Sequence, residues 1–466
     1  MQPATRQPPS PMVHTVNPAT GGHLASHEGL DAAGLEAALD RARSAYERQR
    51  ETPVADRAER LTALADGLLR DQRAHAERMT LEMGKPISQA IAEVRKCASA
   101  CRYYAENAGR FLADEPRPTP AARSYVAYEP LGPVLAVMPW NFPYWQVLRF
   151  AAPAVAAGNV GLLKHASNVP ACGDAIAHAF REAGFDEGVF QHLVVGSHQV
   201  AGVIADPRVA AVTLTGSEGA GRAVAAAAAG ALKKSVLELG GSDAFIVLAD
   251  ADLAEAASVA VKARTQNNGQ SCIAAKRFIV EAPVAKEFTR RFVEGMAALR
   301  TGDPMDPETE IGPLAREDLR GEVHDQVERS VEAGAEILVG GVVPDGPGFY
   351  YPPTVLAGVR EGTVAFEEEI FGPVAAVTVA RDADDAVRLA NLSRFGLGGA
   401  VFTGDPARGE RIARRLECGS AFVNAMVRSH EALPFGGVKA SGYGRELGPE
   451  GLREFVNVKT VWVDGR

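Results

Sequence analysis

A cysteine in a polar, glycine-containing turn is the first chemical feature of the chain. NNGQSCIAAKR at 267–277 sets Cys272 between a helical stretch and a strand starting near Arg277. Structural cysteines occupy apolar strands and helices, whereas a thiol with Asn, Gln and Ser on its N-terminal side is reachable and can serve as a nucleophile. A bystander thiol is the other reading. In VLELGGSD at 236–243, Glu238 stands among Val and Leu at a strand end, just before Gly240 and Gly241. Apolar surroundings raise a carboxyl toward neutrality, which suits a general base; a core glutamate satisfied by backbone has the same pattern. In MPWNFPYW at 138–145, Asn141 lies between prolines and aromatics, a setting that makes its side-chain amide a rigid donor. VAAVTLTGSEGAGRAVA at 209–225 runs a strand into Thr215, Gly216 and Ser217 and begins a helix at once. A helix N-terminus beside a glycine can seat a phosphate, although Ser217 also reads as a plain N-cap. No GxGxxG fingerprint is present.

The elements that must position these residues follow from hydrophobic periodicity. Leu35, Ala38, Leu39, Ala42 and Tyr46, then Leu61, Leu64, Leu68 and Leu69, recur at helical spacing, and a third helix is predicted over about 88–112. That helix carries Cys97 and Cys101 on one side, as small buried residues or as a thiol pair. From Pro133 the runs PVLAVM, NVGLLK, HLVV, VAAVTLTGS and KSVLEL alternate with helical stretches. Continuous apolar strands of this kind indicate a parallel sheet covered on both faces. After Gly241 a second series follows: AFIVL, RFIVE, EILVG, VAAVTV, AVFT and SAFVN. The fold class is therefore α/β with two parallel-sheet domains that divide near Gly240 and Gly241. RSYVAYEPLG at 123–132 and LREFVNVKTVWVD at 452–464 fall outside both series and predict a small β-element whose edge invites a second subunit.

With 466 residues, 46% hydrophobic and 23% charged, the chain is long enough for two or three domains with real cores. Its net charge of -9, from 58 acidic and 49 basic residues without runs of one sign, argues against nucleic-acid and anionic-membrane partners. The stretch from Pro130 to Leu148 carries four prolines, Asn141 and Gln146, so it predicts buried loop and strand instead of a membrane span. MQPATRQPPSPMVHTVNP lacks the apolar core of a secretory signal, and the five cysteines are odd and sparse; a cytoplasmic location is expected.

Together, PWNFP, LLKHAS, TGS, LELGG, GQSC, EEIFGPV and PFGGVKASGYGRE make the whole chain resemble the aldehyde dehydrogenase superfamily. Within it, KHASNVP, ELGGSD, AAKRF and the short length look most like the compact bacterial succinate-semialdehyde dehydrogenases. The resemblance implies a Rossmann-like cofactor domain at 1–118 and 131–240, a catalytic domain at 241–433, and an oligomerisation β-element at 119–130 and 450–464. It implies that Cys272 attacks the aldehyde carbonyl, that the Asn141 amide and the Cys272 N–H hold the oxyanion, and that hydride passes to a nicotinamide. Glu238 then activates water to hydrolyse the thioester. Cofactor contacts are implied for Trp140, Asn141, Lys164, His165, Ala166, Ser167, Thr215, Gly216, Ser217, Leu239, Glu369 and Phe371.

Where many NAD-using relatives carry a glutamate three residues after the lysine, this chain has Ser167. A carboxylate there would repel a 2′-phosphate, whereas a hydroxyl beside Lys164 and His165 can donate to it, so NADP is the expected cofactor, with NAD usable if Ser167 merely caps a helix. Arg149 follows Asn141 by eight residues, about two helical turns, and suits a substrate carboxylate. Ser429 in MVRSHEALPF is the second substrate candidate, with Arg428 and Arg264 behind it. The substrate implied is a small aldehyde carrying a carboxylate, succinate semialdehyde first; the loop NAMVRSHEA departs from the relatives, leaving glutarate semialdehyde or an amino-aldehyde as alternatives. A CoA-acylating variant is disfavoured by Glu238, and a non-catalytic scaffold by the joint presence of Cys272, Glu238 and Asn141. A homodimer or homotetramer without a metal site is expected.

Overall fold

The structure, a computed structural model, describes residues 12–465; the first residues of the expected cofactor domain lie outside the described residues. Four helices open the fold after a hairpin: Ala32–Gln49, Val54–Arg70, Gln72–Met83 and Ile87–Phe111. Asp31 caps the first by accepting from the Gly34 N–H at 2.7 Å. Leu39, Leu61, Leu64 and Leu68 point into the core, and Cys97 and Cys101 are fully buried among them.

The first sheet runs, edge to edge, Gly442–Tyr443, Lys234–Glu238, Ala211–Thr215, Pro133–Met138, Val160–His165 and Phe190–His192, with the first strand antiparallel and the others parallel. The second runs Glu336–Val339, Thr354–Ala357, Val374–Ala380, Ala275–Glu281, Asp243–Val247, Gly398–Phe402 and Ser420–Val423. All its pairings are parallel except the edge strand Glu336–Val339, predicted as one of the parallel series. No helix separates that strand from Thr354–Ala357, and without a crossover the chain can only double back.

Glu115–Pro116, Arg123–Pro130 and Val456–Val463 form a separate antiparallel sheet. The stretch 434–449, left unassigned by the sequence pattern, returns to the first layer: Phe435 and Leu447, with Leu452 just beyond, share a buried cluster with Val134, Leu135 and Trp145. Gly442 pairs with Glu238, so this return lays a second strand directly beside the glutamate strand. Among the described residues no helix is long and apolar enough to cross a membrane.

Candidate active site

In the first sheet the chain builds outward from Pro133–Met138 to one side, then returns to build Ala211–Thr215 and Lys234–Glu238 on the other. Such a reversal opens a crevice outside the carboxyl ends of the strands, where ligands of open α/β sheets bind. Trp140 and Asn141, Lys164 to Ser167, Thr215 to Ser217, and Glu238 to Gly241 all sit at these ends. Because Lys234–Glu238 passes through Gly240 and Gly241 straight into Asp243–Val247, the carboxyl ends of one sheet face the amino ends of the other.

Cys272 enters this crevice on a loop of unusual conformation. Asn267, Asn268 and Gly269 all have left-handed backbone, with φ of 54°, 58° and 75°. Asparagine and glycine tolerate that region best. At Gly269 a Cβ would strike the backbone of Gly372 and Pro373, so the GQSC turn packs against the FGPV turn through the absent side chain. Asn268 fixes the turn by donating to Gly84 O and Pro313 O, both at 2.9 Å, and accepting from Gly312 N–H at 2.8 Å. Asn141 Nδ2 donates to Gln270 O at 3.1 Å, and Asn267 Nδ2 donates to Asn141 O at 2.7 Å, which joins the predicted oxyanion donor to the nucleophile loop. An amide carries two N–H donors, so one remains for a ligand.

Cys272 is half-buried. Enclosure pushes it up to about 12, while Arg149 and Lys276 pull the other way. Lys276, which the sequence reading did not single out, is itself buried; its Nζ donates to Ser271 O at 2.9 Å and Cys272 O at 2.7 Å and pairs with Glu369 at 3.0 Å. Glu369 also accepts from Gly241 N–H at 3.1 Å, and a Cβ on Gly240 would collide with its carboxylate. Trp140 and Phe371 meet edge to face with centroids 5.7 Å apart.

Glu238 is 2% exposed, and neither of its carboxyl oxygens has a hydrogen-bond partner among the described residues. Burial, then the neighbouring Glu446 carboxyl, hold it well above the usual carboxylate range, with Arg149 opposing. Gly436 leaves the room for it: a Cβ there would stand 2.7 Å from Oε1. Glu446 sits just beyond the Gly442–Tyr443 strand, in buried contact with Arg149. Glu446 closes the PFGGVKASGYGRE motif, from which the sequence reading assigned it no role.

On the cofactor side, Lys164 is largely enclosed, which lowers its pKa. Ser167 is exposed and does not cap the next helix, whose N-cap is Val169, so its hydroxyl is free to face a ligand; Ala166 is half-buried between them. His165 corrects the sequence reading. Its ring turns inward against Met138 O at 3.3 Å and Pro143 O at 3.0 Å, and burial drops its pKa to about 3. It braces the Asn141 loop and offers no donor to a phosphate. Ser217 does cap its helix, accepting from Ala220 N–H at 3.4 Å, and Gly216 N–H donates to Glu238 O at 3.0 Å. Leu239 packs against Gly221, where a Cβ would come within 2.6 Å, so the glycine lets the helix Glu218–Gly230 approach the crevice.

Arg149 lies in the buried helix Trp145–Ala156, next to Glu446, 4.7 Å over the Phe435 ring, and donates to Thr215 Oγ1 at 3.4 Å. Ser429 is buried and accepts from Trp145 Nε1 at 3.1 Å. It lines a cavity of about 270 Å³ with Phe422, Leu433, Phe435 and the exposed Arg428. Arg264 is no substrate contact: fully buried, it donates to Gly269 O at 2.6 Å and Ala275 O at 3.0 Å and clasps the Cys272 loop from behind.

The sequence profile of the aldehyde dehydrogenase family matches residues 5–461. The chain is 52% identical over 451 residues to a probable NADP(+) succinate-semialdehyde dehydrogenase of Synechocystis, covering 97% of this chain and 99% of the relative. It is 52% identical over 454 residues to succinate-semialdehyde dehydrogenase 1, NADP(+), of Mycobacterium bovis, with the same coverage. The crystal structure of succinic semialdehyde dehydrogenase from Streptococcus pyogenes in complex with NADP+ matches with a TM-score of 0.95 at 38% identity, covering 97% of this chain and 100% of that one. The chain belongs to the aldehyde dehydrogenase family.

Proposed function

We propose that this chain oxidises succinate semialdehyde to succinate with NADP+, with Cys272 as nucleophile. One observation carries the chemistry: the Asn141 amide donates to Gln270 O and so is tied to the loop that carries the half-buried Cys272 in the crevice between the two sheets. The NADP(+) succinate-semialdehyde dehydrogenases among the relatives support the substrate and the cofactor.

The crevice fits the dinucleotide on its own chemistry. Lys164 offers an ammonium, the uncapped Ser167 hydroxyl a donor without a repelling carboxylate, and Gly216 with the helix Glu218–Gly230 a seat for phosphate. Glu369 would hold a ribose hydroxyl, with Trp140, Leu239 and Phe371 as apolar walls. When bound, NADP+ supplies the hydride acceptor for the oxidation. The chain's own residues do the rest. Cys272 Sγ adds to the aldehyde carbon after losing its proton, and the free N–H of Asn141 and the backbone N–H of Cys272 hold the resulting oxyanion. After oxidation to the thioester, Glu238 takes a proton from the attacking water, the C–S bond breaks, and succinate leaves with the Cys272 thiol restored. Burial and the Glu446 carboxyl hold Glu238 above the usual carboxylate range, so the limb on which activity rises with pH should lie above that of a free carboxylate.

Arg149 and Ser429 are the contacts this reading assigns to the far end of the substrate. The long antiparallel edge Val456–Val463, with Val458 62% and Trp462 53% exposed, supports a homodimer or homotetramer. The unpaired, sparse cysteines support a cytoplasmic location.

Steady-state absorbance of reduced cofactor, with succinate semialdehyde, glutarate semialdehyde, an amino-aldehyde and butyraldehyde against NADP+ and NAD+, tests the reading. A higher kcat/KM for succinate semialdehyde with NADP+ is expected. Equal use of butyraldehyde would sink the substrate assignment, and equal use of NAD+ the cofactor preference.

A further inference from the structure

A substrate carboxylate needs a positive charge that the protein has not already neutralised. Arg149 does not meet that condition alone, because Glu446 is buried against it and the pair presents little net field. A different cation lies close by. Lys96, on the helix Ile87–Phe111, stands over the Trp145 ring with Nζ 4.1 Å from its centroid and donates to Ser429 Oγ at 2.7 Å. Among the described residues no carboxylate comes within salt-bridge distance of it. Trp145 Nε1 donates to the same Ser429 Oγ at 3.1 Å. A hydroxyl has two lone pairs and one hydrogen. With both lone pairs occupied, Ser429 can only give its hydrogen away. A hydroxyl locked as donor on the wall of a cavity of about 270 Å³, which Arg428 and His430 also line, and backed by an ammonium with N–H groups to spare, is the donor set an anionic group requires.

We propose that Lys96, with Ser429, seats the terminal carboxylate of the substrate, and that Lys96 is the residue selecting acid aldehydes over neutral ones. This rests on the succinate-semialdehyde reading above and names the specificity determinant within it. The surroundings of Lys96 agree. Arg149, already paired with Glu446, faces it from the neighbouring helix; Glu93 and Cys97 lie on its own helix; Glu431, on the loop opposite, is occupied by Ser99 Oγ at 2.7 Å. Burial, then Arg149, pull Lys96 down to about 8, so it is charged at neutral pH and gains from an arriving anion.

The test compares the parent enzyme with Lys96→Met and Lys96→Arg, using NADP+ and either succinate semialdehyde or butyraldehyde. In K96M the ratio of kcat/KM for the acid to that for the neutral aldehyde is expected to fall about ten-fold or more, through KM for the acid. K96R restores most of the ratio. In the parent, KM for succinate semialdehyde should climb as pH passes about 8, and this climb should vanish in K96R. If the parent prefers the acid aldehyde and K96M keeps that preference, the Lys96 seat is wrong and the substrate reading stands. If the parent shows no such preference, the substrate reading falls and the seat falls with it.

Discussion

Two buried charge clusters flank the helix Trp145–Ala156, and they are built on opposite plans. On one side Glu93 accepts from the Tyr144 and Trp145 N–H groups, both at 2.9 Å, and pairs with Lys85, whose ammonium sits 3.9 Å over Phe142. Both carboxylate oxygens of Glu93 are engaged. On the other side Glu238 shares a pocket with Glu446 and Arg149, and its oxygens take no hydrogen bond among the described residues. A buried charge with every partner in place rigidifies its surroundings, whereas a buried acid left unsatisfied is held in a state from which exchanging a proton is easy. The first cluster fixes the Asn141 loop; the second is where acid–base work can occur.

The strongest way to break this contrast is at the unsatisfied carboxyl. Glu238→Gln should lower kcat by about 10²–10⁴-fold and accumulate a Cys272 thioester visible by intact-mass spectrometry; full turnover in that variant would remove Glu238 from the mechanism. Glu93→Gln or Lys85→Met attacks the satisfied pair and should act on folding: leaving one buried charge alone costs about 3–5 kcal/mol, read as a lower Tm, while the pH profile of the surviving activity keeps its shape. A parent-like melting curve for both variants would mean that the pair holds nothing. A smaller change follows from coupling in the second cluster. Glu446→Gln removes a like charge beside Glu238 and leaves Arg149 to attract it, so the Glu238 carboxyl ionises more easily and the acid limb of the kcat profile moves to lower pH. Arg149→Met should move it the other way. Smallest is the cofactor preference: Ser167→Glu should shift the kcat/KM ratio toward NAD+ by about ten-fold, since a carboxylate repels a 2′-phosphate.

The same contrast explains what could be read without coordinates. Cys272 and Asn141 announce themselves because a polar turn and a pair of prolines are local signals. The two sheets are legible for the same reason: each strand carries its apolar run in consecutive residues. Glu93 and Tyr144, by contrast, lie 51 residues apart, and Glu446 reaches the site only because Gly442–Tyr443 pairs beside Lys234–Glu238. A buried glutamate or lysine on an amphipathic helix has the spelling of a solvated one, and only its partners reveal it. Lys85, Lys96 and Lys276 escaped sequence reading on that account. His165 failed for a related reason: sequence places it at the right strand end, but not on the side of the strand its ring takes.

The Asn268–Gly269 step has one more consequence. In a flexible peptide this dipeptide ages quickly, because the glycine nitrogen can attack the asparagine side chain and expel ammonia. Here the carboxamide is anchored by Gly84, Gly312 and Pro313 and cannot swing onto that nitrogen. Deamidation at this site should therefore be a clock that runs only while the loop is open. Peptide mapping of stored protein would then register past unfolding at the heart of the enzyme, even after the chain has refolded.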